Sequence, residues 1–237
     1  MLESLFEIAR PVMQAFDSSR CVVVPVNYCT ARVVVRETHY IGRLGATSVA
    51  LGLYVEQQLG GVITFGTIPS NNAQAICGAE YSARVLELTR LALYDWMPRN
   101  SESWFIAQSF RWLCAHRPDV AILISYADSA AGHAGTIYQA TNWTYTGNST
   151  NDYVYAQDDG TIVHPRTTGR SKGALSPGRW TPVSAKHRYI IFIGPDRRRV
   201  AQSLRWESLP YPKLDTMNEA ARRSGERAAN SDRYVGT

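Results

Sequence analysis

Apolar and polar residues along this 237-residue chain recur with two periods, one suited to strands and one to helices. Residues 21–26 (CVVVPV) form a short apolar run that predicts a strand. Residues 30–40 have helical spacing, with Val34, Val35 and Thr38 on one side and Gly42 and Gly45 as the stop. Residues 48–55 and 62–68 are β-rich, and Gly60-Gly61 between them predicts a hairpin turn. Residues 84–93 alternate Val85, Glu87 and Thr89 against Leu86, Leu88 and Arg90, which favours a strand.

Residues 101–115 predict a helix, because Ile106, Phe110, Leu113 and Cys114 fall at the spacing of a buried stripe. Residues 120–126 (VAILISY) are the most continuously apolar strand, and such a strand is expected at the centre of its sheet. Residues 135–145 predict a second helix that Gly147 stops, and residues 153–156 and 189–193 predict strands. The segment at 158–188 carries Gly169, Gly173, Pro177, Gly178 and Pro182, which mark a loop or ribbon. Beyond Leu209 the chain turns polar. The expectation is an α+β single domain over residues 1–208, with a partly disordered tail at 209–237.

Composition supports a globular protein, with 45% hydrophobic and 19% charged residues. Cys21, Cys29, Cys77 and Cys114 show no C-x-x-C pair and are expected to be free thiols in a reducing compartment. The first ten residues, MLESLFEIAR, carry Glu3 and Glu7 and do not read as a signal peptide. No apolar run approaches the roughly 20 residues of a membrane span. A soluble, cytoplasmic protein without membrane contact is expected.

Net charge is +5, and its placement says more than its size. Residues 161–194 contain no Asp or Glu, while Arg166, Arg170, Lys172, Arg179, Lys186 and Arg188 all lie there. A solvated basic face is one explanation. A polyanionic partner, nucleic acid above all, is the one favoured here.

The stretch ISYADSAAGHAGTIYQATNWTYTG at residues 124–147 carries the candidate chemistry. An apolar strand runs into Asp128, followed by small residues, His133 and the predicted helix. Glycines at a strand-to-helix junction expose backbone N–H groups that suit phosphate. The spacing is neither a Walker loop nor a dinucleotide fingerprint. A plain turn and a ligand site both remain open from these residues, as they do for the His39-Tyr40 pair at the end of the first helix. No G-x-S-x-G elbow and no zinc spacing is present.

The run SYADSAAGHAGTIYQATNWTYTG, with HYIG at 39–42 and PRNSES at 98–103, resembles the phage Mom family of DNA-modifying enzymes over roughly residues 20–195. The resemblance implies a GNAT acetyltransferase-like fold, a mixed and mostly antiparallel sheet flanked by helices. It implies conversion of adenine in DNA to its N6-methylcarbamoyl derivative, which shields phage DNA from host restriction. His39, Tyr40, Arg90, Ser103, Asp128 and Tyr138 match positions treated as functional in the family. Tyr126, Gly132, His133, Gly135 and Thr136 would then line a site for acetyl-coenzyme A or a related donor, although the loop departs from the usual Q/R-x-x-G-x-G/A pattern. An iron ion is also implied, with His39, Tyr40 and Asp128 offering N and O donors. Double-stranded DNA is the implied partner, inside a bacterial host cell; a homodimer stays open.

On that resemblance Asp128 or His39 takes the N6 proton or holds a metal that activates the donor, Tyr138 orients or protonates the donor group, residues 166–188 grip phosphates, and Trp180 or Tyr189 stacks on a base. An acetyltransferase acting on a protein or small-molecule amine, and a non-catalytic DNA-binding protein, are the alternatives.

Overall fold

A computed structural model describes residues 15–129, 132–149, 152–163, 176–183 and 185–212. Arg166, Arg170 and Lys172 lie outside them. The chain divides into two compact units, residues 1–125, 137–144 and 190–207 in the first, and 126–136, 145–189 and 208–237 in the second.

In the first unit β1 (Cys21–Pro25), β2 (Val49–Val55), β3 (Gln58–Gly66) and β4 (Val85–Leu93) pair in sequence order, each antiparallel to the next. β5 (Ile122–Asp128) pairs parallel to β4, so the sheet is mixed and mostly antiparallel. Helix α1 (Tyr28–Thr38) starts at Asn27, whose side chain accepts from the Thr30 N–H at 2.8 Å. Its Val34 and Val35 pack with Val62 and Ala92 of the sheet. Burying a valine of this kind contributes about 1.5–3 kcal/mol. Helix α2 (Ser70–Cys77) ends at Gly78, whose φ of 100° suits only glycine. Helix α3 (Ser101–His116) buries Phe105, Ile106, Ser109 and Leu113, whereas Phe110 is half-buried and Cys114 exposed. The buried stripe thus runs through Phe105 and Ser109, one position away from that expected.

The Gly60-Gly61 pair does not make the hairpin turn. Glu56 and Gln57 make it, with Glu56 at a φ of 56°. Leu53 pairs with Gly61 and Tyr54 with Leu59, so Gly60 is the extra residue of a β-bulge. A Cβ on Gly61 would lie 2.6 Å from the Ala92 carbonyl oxygen of β4. Close approach of two strands is what Gly61 serves, and neither glycine reverses the chain.

Helix α4 (Thr136–Ala140) is shorter than the predicted 135–145. Asn142 takes a φ of 60° and ends it, a conformation asparagine tolerates. The residues that follow form β6 (Thr144–Asn148), so Gly147 sits in a strand instead of stopping a helix. Thr144, Tyr145 and Thr146 are β-formers, and that preference overrides the helical reading.

The second unit holds a three-stranded antiparallel sheet in which β7 (Asp152–Gln157) lies between β8 (Ile162–Val163) and β9 (Gly178–Val183). Strand β10 (Lys186–Phe192) gives residues 186–189 to this unit, beside β6, and residues 190–192 to the first. A last short helix, α5 (Arg197–Ala201), belongs to the first unit. All four cysteines are free, and burial raises the Cys77 thiol to about 11. No helix among the described residues is long and apolar enough to cross a membrane.

Two outcomes follow from this packing. Gly61→Ala lowers stability by ~1–3 kcal/mol, read as a fall in the urea midpoint with the slope unchanged. Arg84 bonds Asp196 at 2.6 Å, and this hydrogen bond holds the carboxyl below its ordinary 3.8. The unfolded chain therefore takes up that proton first. The contribution is full above about pH 4 and disappears as pH falls through the depressed folded value. Asp196→Asn should flatten the acid limb of the stability–pH curve while the neutral limb keeps its shape.

Candidate active site

The pairing of β4 with β5 decides where a site can form. It runs through Val85↔Ile122, Leu86↔Leu123 and Glu87↔Ile124, and stops short of Leu88 and Ser125. At that point Ser125, 1% exposed, places its Oγ 2.9 Å from the Leu88 carbonyl oxygen. A side chain replaces the backbone ladder where the two strands part. The same Oγ lies 2.7 Å from the phenol oxygen of Tyr138 on α4. A serine has one proton and the carbonyl only accepts, so Ser125 donates to Leu88 and the Tyr138 hydroxyl donates to Ser125. Trp143, fully buried, holds the Tyr138 ring at 5.1 Å between centroids.

A second bulge sets the neighbouring face of β4. Thr64 pairs with Arg90 and Phe65 with Leu88, which leaves Thr89 as the extra residue. In an unbroken strand residues 87 and 90 would point to opposite faces. Because Gly66 opposes Glu87 and Thr64 opposes Arg90, the bulge returns Glu87 and Arg90 to one face. Thr64 and Thr89 lock the bulge through hydroxyls 2.8 Å apart. The Arg90 Nε donates to the Arg43 carbonyl at 2.8 Å. Burial lowers the Arg90 pKa, opposed by Glu87, Tyr40 and Tyr138, while Arg43 adds to the fall. Two expected site residues, Tyr40 and Tyr138, thus lie within electrostatic reach of a third, Arg90.

His39 ends α1, donating its N–H to the Val35 carbonyl at 3.0 Å, and its ring stacks on Tyr40 at 4.7 Å. Its Nδ1 accepts from the Ile41 N–H at 3.2 Å, so the neutral ring carries its proton on Nε2. Among the described residues no three His, Cys, Asp or Glu side chains gather where they could hold a metal ion. Iron, expected from the resemblance with His39, Tyr40 and Asp128 as donors, is not supported by any such cluster, and no catalytic step is routed through it. Ser103 lies in the first turn of α3 and donates to the Asn100 carbonyl at 3.0 Å.

In the second unit the strand-to-helix loop is held by its own backbone. His133 N–H donates to the Asp128 carbonyl at 3.0 Å and Gly132 N–H to Ser129 at 3.1 Å. These two N–H groups serve the turn, contrary to the exposed donors expected there. Gly132 and Gly135 take φ of 73° and 72°. The Ser129 hydroxyl donates to Ala185 at 2.6 Å, and the Tyr189 hydroxyl donates to the Ala134 carbonyl. Tyr189 is fully buried and is no stacking platform; it fastens the loop. Arg188 donates through Nε and Nη2 to Thr146, at 3.0 and 2.7 Å, and burial lowers its pKa. Its guanidinium is committed inside the fold, while Arg179 and Lys186 are exposed.

The strand opening with its Ser–Tyr pair and the arginine face beside it define an α+β protein with a preorganised polar site. The model of the Mom protein family matches residues 20–213, and the chain belongs to that family. It is 27% identical over 209 residues to the methylcarbamoylase Mom of Escherichia phage Mu, across 84% of this chain and 86% of the relative. Solved structures with some likeness include RimL, a ribosomal L7/L12 α-N-protein acetyltransferase, at 9% identity and a TM-score of 0.44 over 78% of this chain and 98% of that one. Another is spermidine N-acetyltransferase from Vibrio cholerae with CoA and spermine, at 9% identity and a TM-score of 0.43 over 74% and 96%.

Sequence reasoning missed Ser125 and Glu87. Ser125 had a readable signal, as the lone polar residue inside an apolar strand must find a partner. A double-mutant cycle between Ser125→Ala and Tyr138→Phe should show a coupling of about 0.5–1.5 kcal/mol in urea unfolding. Strictly additive losses would mean that the two hydroxyls share no bond.

Proposed function

We propose that this chain transfers a methylcarbamoyl group to the N6 amine of adenine in DNA and so protects phage DNA from restriction. The observation that carries this reading is the family match over residues 20–213 together with the methylcarbamoylase of phage Mu, aligned along most of both chains. A coenzyme A-type donor would supply the activated carbonyl carbon. We assign Tyr126, Gly132, His133, Gly135 and Thr136 to its binding, a role compatible with glycines that keep the loop backbone bare.

The N6 lone pair is delocalised into the ring, so the amine needs help at two atoms. Its proton must leave as the N6–carbon bond forms, and Asp128 at the end of β5 is the proposed base. The carbonyl oxygen gains charge as the carbon becomes tetrahedral, and Arg90 is suited to stabilise it, being half-buried and held to the Arg43 backbone. The Nε2–H of His39 offers a second donor. The proton of Tyr138 is directed at Ser125, so its phenol oxygen is suited to accept from the N–H of the transferred group and orient it. Collapse of the tetrahedral carbon expels the donor's leaving group, which takes the proton. Ser103 and Tyr40 complete the proposed set. Exposed Arg179 and Lys186, with Arg166, Arg170 and Lys172, are proposed to meet phosphates.

Mass spectrometry of nucleosides from DNA of expressing cells tests the reading. The expected result is modified adenine with the natural chain and a fall of at least ~100-fold with Asp128→Ala. DNA affinity of that variant should stay within about twofold, since phosphate contacts dominate affinity. Full modification by Asp128→Ala would remove the proposed base. Unmodified DNA from cells making the natural protein would favour a binding protein, and tight acetyl-coenzyme A binding without DNA affinity would favour an ordinary acetyltransferase.

A further inference from the structure

The small sheet of the second unit presents a row of rings to solvent. Tyr155 of β7 opposes Val163 of β8 on one side and Trp180 of β9 on the other. Directly opposed residues share a face, so Val163, Tyr155 and Trp180 form one row across all three strands. Tyr153 and Pro182 oppose each other two residues along and share that face. Trp180 and Tyr153 are 51% and 50% exposed. Tyr155 meets Trp180 edge-on at 5.4 Å, which fixes the indole without stacking on it. The opposite face carries Ile162, Ala156 and exposed Arg179.

The half-exposed indole of Trp180 offers a flat apolar surface to a partner, and charge decides which one. The chain from 161 to 194 contains no acid, and among its described basic residues Arg179 and Lys186 are exposed, so an acidic or neutral protein surface is served less well than a polyanion with flat apolar groups. Unpaired nucleic acid has both, a charged backbone and a π-face on every base. We infer that the face of Tyr153, Tyr155 and Trp180 binds unstacked bases of single-stranded or locally opened DNA, with Trp180 as the stacking platform. This rests on the reading of the chain as a DNA-modifying enzyme, which must take its target base out of the helix. It adds a subsite for bases apart from the reacting one.

Affinity of the full-length protein for a labelled single strand and for the matching duplex, by fluorescence anisotropy, is the test. Trp180→Ala should weaken single-strand binding about 5- to 100-fold and duplex binding less than about twofold. Trp180→Phe, which keeps a ring, should recover most of the single-strand affinity. Arg179→Ala should weaken both substrates and lower the salt dependence. Unchanged single-strand affinity in Trp180→Ala, or equal losses on both substrates, overturns the inference. A change from dimer to monomer in sedimentation, with single-strand affinity intact, would instead assign the face to a second copy of the chain. Nucleoside mass spectrometry separates the two readings: ring-dependent single-strand binding without adenine modification sinks the chemistry and leaves this subsite standing.

Discussion

Everything in the candidate site depends on one unmade backbone bond. β4 and β5 run together for three residue pairs and then part, which leaves the Leu88 carbonyl facing a gap. A buried carbonyl without a partner costs about 1–3 kcal/mol. Ser125 meets that demand from the neighbouring strand, and so it must point its hydroxyl toward β4. Its remaining lone pair then receives Tyr138, which Trp143 braces from the side. The opening and the group beside it are therefore one solution to one hydrogen-bonding problem. Strands that stayed paired would have needed neither Ser125 nor Tyr138.

The two bulges act in the same direction by different means. At Gly60 the extra residue lies against Met97, and a Cβ there would fall 2.4 Å from the thioether sulfur, so the flexible side chain would have to move aside. At Thr89 the extra residue changes the phase of β4, so that Arg90 shares a face with Glu87. Without that phase change the guanidinium would turn to the opposite face of the sheet. A half-buried cation anchored to the Arg43 carbonyl, within electrostatic reach of a carboxylate and two phenols, keeps its charge at a fixed point, which a long side chain on the surface does not.

Much of the fold was legible because it rests on local pattern. The strands around 21–26, 84–93 and 120–126 and the helices around 30–40 and 101–115 follow from alternation, stripe spacing and stops. Failures came where one residue type serves two geometries. Glycine marks a turn or a close approach, and only the partner strand tells which, as at Gly60 and Gly61. Residues 135–145 mix helix and strand preference, and the left-handed Asn142 divides them in a way no period reveals. At the site, Tyr40, Arg90 and Tyr138 were named from family motifs, and both phenols lie within electrostatic reach of the Arg90 guanidinium. Tyr189 and Arg188 were misjudged because ring and charge look alike whether exposed or buried. Only the folded chain shows that one fastens a loop and the other braces a strand.

The energetics of base extrusion connect the proposed chemistry to the small sheet. Taking a paired base out of its stack costs a few kcal/mol, and stacking one base on an aromatic ring returns about 1–3 kcal/mol. One indole therefore does not offset the cost alone. The remainder must come from phosphate contacts, and their strength depends on how many cations meet the backbone. That division suits the distribution seen here, with rings on one face of the three-stranded sheet and an acid-free stretch of chain running through it. An enzyme with strong phosphate contacts and no ring would bind duplex and opened DNA alike, and the target base would remain in its stack. An enzyme with rings and few cations would favour opened DNA and reach the duplex rarely. A protein that must first find duplex DNA and then hold it open needs both, and the rings matter only once a base has left the stack.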